Sequence, residues 1–316
     1  MLKFRIPGKS VVERHGHFVT NEGDRNGFVL VDYYGKRKFV FQDVENGNTS
    51  FHFNPHKINV ISYDDYIIKG EKLVKTLSSL GIQKTVFSRI KSVPFDHSKT
   101  EKLFEMLVST YPNAFVYCLS DEKIGTWMGA TPETLLCQHG NHGFTVSLAG
   151  TKKTVENRPW TKKEELEQAF VSSFISESLH KLDIQQVEMN GPYSYQAGPV
   201  QHLRTDFEFP LSANLLPQLI EQLHPTPAVC GLPRDFSRTL IEQIESHDRL
   251  FYTGYLGWKE PNNTQLFVNL RCCQITKGYL HLYLGGGYTK DSDPESEWFE
   301  TENKARTFLD ILEQIG

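Results

Sequence analysis

The sequence predicts an α+β fold, built as one large domain with two lobes. Strand-like and helix-like segments follow one another irregularly rather than as βαβ units, no repeat of short fixed period runs through the 316 residues, and no low-complexity linker divides them. A chain of this length buries a large core. The formal net charge of −4, with no lysine or arginine block, speaks against a nucleic-acid partner. Charge and proline interrupt Met1 to Pro7 before an apolar leader forms, and no later apolar run approaches membrane-spanning length. A cytoplasmic protein with no membrane partner is therefore expected, as a monomer or weak homodimer. Five cysteines without a C-x-x-C pair, two of them adjacent at Cys272 and Cys273, are expected to be reduced structural thiols.

Taken in order, Phe28 to Tyr34 and Lys38 to Phe41 predict a hairpin joined through Gly35. Ser62 caps the next helix with Asp65 three residues on. Tyr66, Leu73, Leu77 and Leu80 form its inward stripe, and Gly81 stops it. The period then changes to two, which puts Lys84, Val86, Ser88 and Ile90 on one face of a strand. A helix over about residues 98–111 ends at Pro112, and strands are expected at 114–119, 125–129 and 144–148. Between them, Gly129-Ala130-Thr131-Pro132-Glu133 predicts a tight turn that leaves Glu133 at a strand end, where its side chain reaches a cleft.

Thr161 and Glu164 make a capping box for a helix whose buried stripe is Leu166, Phe170, Phe174 and Leu179. Capping accounts for Glu164. Glu167 borders the apolar face, either as a functional acid or as a solvated flank. Beyond Leu182 the chain is irregular and β-like to Leu211, and a helix from Ala213 ends at His224-Pro225-Thr226-Pro227. A helix over 236–244 precedes strands at 251–258, 265–275 and 279–284. Arg271, on the second of these among apolar neighbours, demands a carboxylate or phosphate partner. After the run Gly285-Gly286-Gly287, Asp293 and Pro294 supply the N-cap and first position of a helix reaching Ile315. On it Glu297, Glu300 and Lys304 share the face that continues as Phe308, Ile311 and Ile315, so the acids point inward. Two carboxylates near an interior need a cation, either Lys304 or a bound metal. The same acids also suit a first helical turn, with Lys304 paired to Glu300 at i, i+4.

Taken together, these motifs resemble the chorismate-utilising enzymes, the family of isochorismate, salicylate, anthranilate and aminodeoxychorismate synthases. The resemblance spans about Gln83 to Leu312. It rests on Lys84-Thr85-Val86-Phe87-Ser88-Arg89, the Gly129 to Glu133 run, Leu148-Ala149-Gly150-Thr151, the run from His224 to Gly231, and Ser292-Asp293-Pro294 through Glu297 and Glu300 to Lys304. It implies a large two-lobed sandwich of sheets with outer helices, an active site between the sheets, chorismate as substrate and magnesium as cofactor. Residues 1–82 are then a reduced N-terminal segment of the same fold, and residues 83–316 the chorismate-binding core.

By the same resemblance, Glu167 and Glu300 hold the magnesium, with Glu297 beside them through water. Arg271 and Lys304 grip substrate carboxylates, and the backbone around Ala149, Gly150, Thr151 and Gly286 approaches the same groups. Lys84 is the general base that takes a proton from water, and Glu133 the general acid. A lysine base must be partly neutral, so its pKa is expected to be lowered by burial or by a neighbouring cation such as Arg89. Ala149 stands where the aminodeoxychorismate members carry a lysine nucleophile, and the His224-Pro225-Thr226-Pro227 run resembles the water-using branch. His224 is accordingly placed with the substrate, although capping the preceding helix is an equal alternative. Two departures stand out: Gln168 follows Glu167 where histidine is common, and the segment before Lys84 is short. The implied function is an isomerase, isochorismate synthase, feeding menaquinone or siderophore synthesis. Salicylate synthase and a catalytically silent binder are the alternatives.

Overall fold

The computed structural model describes residues 1–22, 25–45, 50–53, 58–197 and 200–316. Two antiparallel sheets lie face to face. The N-terminal strands are β1 (Leu2–Arg5), β2 (Val12–Arg14), β3 (Gly16–Thr20), β4 (Gly27–Val31) and β5 (Lys38–Asp43). Helix α1 (Tyr63–Leu80) leads into β6 (Lys84–Pro94), then α2 (Thr100–Thr110), β7 (Phe115–Asp121), β8 (Gly125–Thr131), β9 (Thr134–His139) and β10 (His142–Lys153). Next come α3 (Lys162–Lys181), β11 (Glu188–Ala197), β12 (Val200–Pro210), α4 (Leu216–Leu223), β13 (Gly231–Leu232) and α5 (Arg234–Ile244). The chain closes with β14 (Tyr255–Glu260), β15 (Asn263–Val268), β16 (Cys272–Thr276), β17 (Tyr279–Tyr288) and α6 (Pro294–Ile315). One sheet has the order β13-β6-β17-β16-β8-β7-β1-β2, the other β11-β12-β10-β9-β15-β14-β4-β5-β3. The N-terminal strands thus extend both sheets.

Aromatic and aliphatic side chains fill the space between the sheets, with Phe115 stacked on Phe267 at 4.3 Å across the gap. Helices α2 and α6 cover the outer face of the first sheet, and α3 and α4 that of the second. The expected sandwich with outer helices is what forms. All five cysteines are unpaired. Among the described residues no helix is long and apolar enough to cross a membrane.

The period-two reading of β6 holds. Val86 and Ile90 face the other sheet, while Phe87 turns to the helix layer and stacks on Tyr66 at 4.6 Å. Several expectations need correction. Leu80 is 55% exposed, because the helix stops in a Schellman arrangement: Gly81 is left-handed, the Ile82 amide bonds Leu77, and Ile82 is buried in the same cluster as Leu77. The buried face of α3 carries Glu164, Gln168, Val171, Ile175 and Leu179, while Leu166 is 46% exposed. Polar residues can face inward there because the sheet offers partners: the Gln168 amide lies 2.7 Å from Ser147 Oγ and 2.9 Å from Thr205 Oγ1. Phe251 to Gly254 is a turn rather than the start of a strand, with Leu250 and Thr253 at positive φ.

Two further corrections shape the site. Gly129 to Thr131 belong to β8, and only Pro132 and Glu133 separate it from β9, so the chain crosses from one sheet to the other there. The expected strand over 265–275 is two strands in different sheets, broken at Asn269, Leu270 and Arg271, where the chain crosses back. Arg271 therefore lies in a break and not on a strand.

Candidate active site

The two crossings are hydrogen-bonded to each other. The Val268 amide donates to the Glu133 carbonyl at 3.0 Å, the Ala130 amide to the Arg271 carbonyl at 3.0 Å, and Thr131 Oγ1 to the Val268 carbonyl at 2.6 Å. From this paired seam Glu133 and Arg271 both line one pocket, together with Lys84, Glu167, Glu300 and Lys304. Arg271 holds φ at +47°, a left-handed conformation uncommon for a side-chain-bearing residue.

Glu133 is 5% exposed. Burial pushes its carboxyl up to about 8, against the opposing charges of Lys84 and Lys304. It therefore keeps its proton at neutral pH, as a general acid must. Lys84 opens β6 and is buried. Ser237 Oγ donates to its carbonyl at 3.0 Å, and Gly287 leaves room for its stem, since a Cβ there would sit 2.5 Å from Lys84 Cε. Arg89 is not its neighbour. It lies on the opposite face of β6, 3.6 Å over the Trp298 ring, and is paired with Glu302. Alternation along a strand sends residues 84 and 89 to opposite faces.

Arg271 makes one hydrogen bond among the described residues, from Nη1 to the Lys304 carbonyl at 3.4 Å, and no ion pair. Burial works against its charge, with Tyr111, Tyr252 and Glu300 in support. Among the described residues no protein carboxylate pairs with it, so the carboxylate or phosphate partner that the sequence called for is left to an anion in the pocket. Lys304 Nζ donates to the Gly285 carbonyl at 2.7 Å and to Glu300 Oε1 at 2.6 Å, so the helical i, i+4 pair does form. Burial disfavours the Glu300 charge, but Lys304 with Lys163 and Lys84 more than offsets it and holds the carboxyl below its usual range.

Glu297 is 2% exposed. Burial, then repulsion by Glu300, pushes it up to about 7, opposed by Lys163 and Ser292. Its Oε1 accepts from Ser292 Oγ at 2.8 Å and from Lys163 Nζ at 3.2 Å. Among the described residues its Oε2 is buried without a partner, and a Cβ on Gly286 would come within 2.8 Å of it. Gly286 is thus glycine to make room for Glu297. Glu167, from α3, faces the pocket half-buried.

Among the described residues no three acidic, histidine or cysteine side chains are gathered closely enough to hold a metal by themselves. The donor set nevertheless suits a hard cation. Glu167, Glu297 and Glu300 offer only oxygen, and Glu297 Oε2 is an unused buried acceptor.

Ala149, Gly150 and Thr151 line the pocket. Gly150, at φ +70°, is the extra residue of a bulge in β10, since Ala149 pairs with Leu203 and Thr151 with His202. Sequence reasoning missed His202, which nothing in a strand pattern distinguishes. It lines the pocket with Nδ1 donating to the Gly150 carbonyl at 3.0 Å, and burial, then Arg271, pushes its pKa down to about 4. The ring is neutral and its Nε2 is left as an acceptor. Lys163 was missed too, because a lysine in a first helical turn reads as solvated.

Two expected site residues do not line the pocket: Glu297, which sits behind Gly286, and His224. The His224 ring Nε2 donates to the Thr253 carbonyl at 3.0 Å, it packs edge-on to Tyr255 at 5.0 Å, and burial pushes it down to about 4. Its backbone closes α4, so the capping alternative is the one found.

Residues 32–313 match the chorismate binding enzyme family, and the chain belongs to that family. It is 29% identical over 258 residues to the isochorismate synthase MenF of Escherichia coli, covering 77% of this chain and 59% of that one. The vibriobactin-specific isochorismate synthase of Vibrio cholerae is 26% identical over 245 residues, 72% of this chain and 62% of the relative. The chain thus matches about three fifths of the length of these relatives. The solved structure of E. coli MenF superposes with a TM-score of 0.79 at 21% identity, over 98% of this chain and 88% of that one. Anthranilate synthase component I of Streptococcus pneumoniae superposes with a TM-score of 0.73 at 16% identity, over 97% and 89%.

Proposed function

We propose that the chain converts chorismate to isochorismate. One observation carries the reading: Glu133, a buried carboxyl whose pKa burial raises to about 8, lines the same pocket as the amine of Lys84. Lys84 takes a proton from a water molecule as that water attacks the second ring carbon, while Glu133 gives its proton to the hydroxyl leaving the fourth. Atoms balance: one water enters, one leaves, and solvent returns the Lys84 proton to Glu133. Ala149 leaves no amine where a covalent route would need one. Arg271 and Lys304 supply positive charge for the substrate carboxylates, and the neutral His202 ring offers an acceptor beside them.

Glu167 and Glu300, with Glu297 beside them, would hold magnesium, which would supply further positive charge for a substrate carboxylate. The relatives named as isochorismate synthases support the same reading. Five unpaired cysteines support a place in the reducing cytoplasm. Whether the product serves menaquinone or siderophore synthesis is decided by the enzyme that consumes it. The test is to incubate the protein with chorismate and magnesium near neutral pH and to follow both pyruvate release and the separated products. A chorismate–isochorismate mixture with little pyruvate is expected. Pyruvate appearing in step with chorismate loss would make the chain a salicylate synthase instead, and no turnover would make it a binder.

A further inference from the structure

Helices from opposite faces of the sandwich are joined by an ion pair. Lys163 stands in the first turn of α3, which covers the sheet of β10 and β12. Glu297 stands in the first turn of α6, which covers the sheet of β17. Lys163 Nζ reaches Glu297 Oε1 at 3.2 Å, with the lysine side chain 49% exposed and the glutamate side chain 3% exposed. Asp293 also feels the charge of Lys163, but Glu297, Glu167 and Glu300 are the carboxylates that act most strongly on this ammonium group. They are the same three that the proposed function gives to magnesium, so the inference rests on that reading.

We propose that Lys163 is a built-in counter-cation of the carboxylate site: its ammonium group occupies the site before a divalent ion enters and leaves Glu297 when the ion binds. Glu297 and Glu300 repel one another, and a single positive charge on a flexible stem, acting on both and on Glu167, relieves part of that repulsion. The relief is incomplete, because the ammonium meets Oε1 while Oε2 stays without a partner. A divalent ion neutralises more of the cluster and repels the ammonium, and the half-exposed stem of Lys163 gives it a short way out to solvent. Lys163 thereby keeps the metal-free site assembled at a cost in metal affinity.

The test needs no turnover. Free Mn²⁺ is followed by electron paramagnetic resonance, and Mg²⁺ binding by calorimetry, in wild type, Lys163→Met, Lys163→Arg and Glu297→Gln, with circular dichroism checking the fold. Lys163→Met should bind either ion about tenfold more tightly, the scale of removing one nearby competing charge. It should also have a lower metal-free melting temperature than wild type, with the difference closing at saturating Mg²⁺. Lys163→Arg, which keeps a cation, should bind like wild type, and Glu297→Gln more weakly. Binding by wild type with equal or weaker binding by Lys163→Met overturns the counter-cation role alone. Failure of wild type and Lys163→Met to bind either ion overturns the carboxylate site and the inference with it.

Discussion

Glu133 and Arg271 face one pocket because the two crossings that carry them are hydrogen-bonded to each other, through Val268 to Glu133 and Ala130 to Arg271 at 3.0 Å each. An acid and a cation are therefore fixed by backbone, at the seam between the sheets. Backbone ladders are harder to move than side-chain rotamers, so the seam suits groups that must keep their geometry.

The Glu133 carboxyl is pushed up to about 8 by burial, so the alkaline limb of kcat/KM should fall through about that pH as the acid loses its proton. Glu133→Gln should lose roughly 10²-fold or more in turnover. An alkaline limb unchanged from wild type in a still-active Glu133→Gln would assign the titration to another group.

The same shift predicts a stability effect with a definite sign. Between the ordinary value of 4.5 and about 8 the folded state binds more protons than the unfolded chain, so this carboxyl makes stability fall as pH rises through that window. Glu133→Gln lacks the effect. Its melting temperature relative to wild type should therefore be higher at pH 8.5 than at pH 5, and an equal difference at both would refute the buried, protonated assignment.

Lys84→Gln should lose roughly 10²-fold or more in turnover, the scale for a positioned proton-transfer group. Gly287→Ala offers an independent check, because its methyl group would press on Lys84 Cε at 2.5 Å and displace the amine. We expect turnover to fall about tenfold or more with only a few degrees lost in melting temperature, since the clash is with a flexible stem. Normal rates in both variants would make Lys84 structural.

Chelation should abolish turnover without unfolding, and Mg²⁺ should restore it. Glu300→Gln should lower kcat by orders of magnitude, since a misplaced ligand disturbs the charge that holds the substrate. Far-UV circular dichroism recorded beside the assay separates loss of metal from loss of fold. Full activity in excess chelator would remove magnesium from the mechanism.

His224→Gln should leave KM within about twofold and instead cost stability, about 1–3 kcal/mol if the Thr253 carbonyl is left unpaired. Urea unfolding midpoints beside steady-state kinetics decide it. A large rise in KM with unchanged stability would return His224 to the substrate.

Local chemistry was legible wherever a short stretch carried its own cause. Asp293 caps α6 through the Ser296 amide at 2.9 Å, Thr161 and Glu164 close the capping box of α3, and alternation along β6 sorted Lys84 from Phe87. These need only neighbours within a turn or a pleat, so the sequence determined them alone, along with the α+β class and the inward face of Glu297. The tertiary structure alone decided the rest. Residues 265–275 read as one strand because β propensity does not register a change of sheet, and only the seam with Ala130 to Glu133 shows that the chain crosses at Arg271. The inward side of α3 was set by Ser147 and Thr205, which satisfy Gln168 while Leu166 is left outside. His202 entered the site through the bulge at Gly150, and Lys163 through a helix on the other face of the sandwich. Each depends on partners distant in sequence, and no local pattern encodes which of two equally polar surfaces will be brought opposite a given side chain.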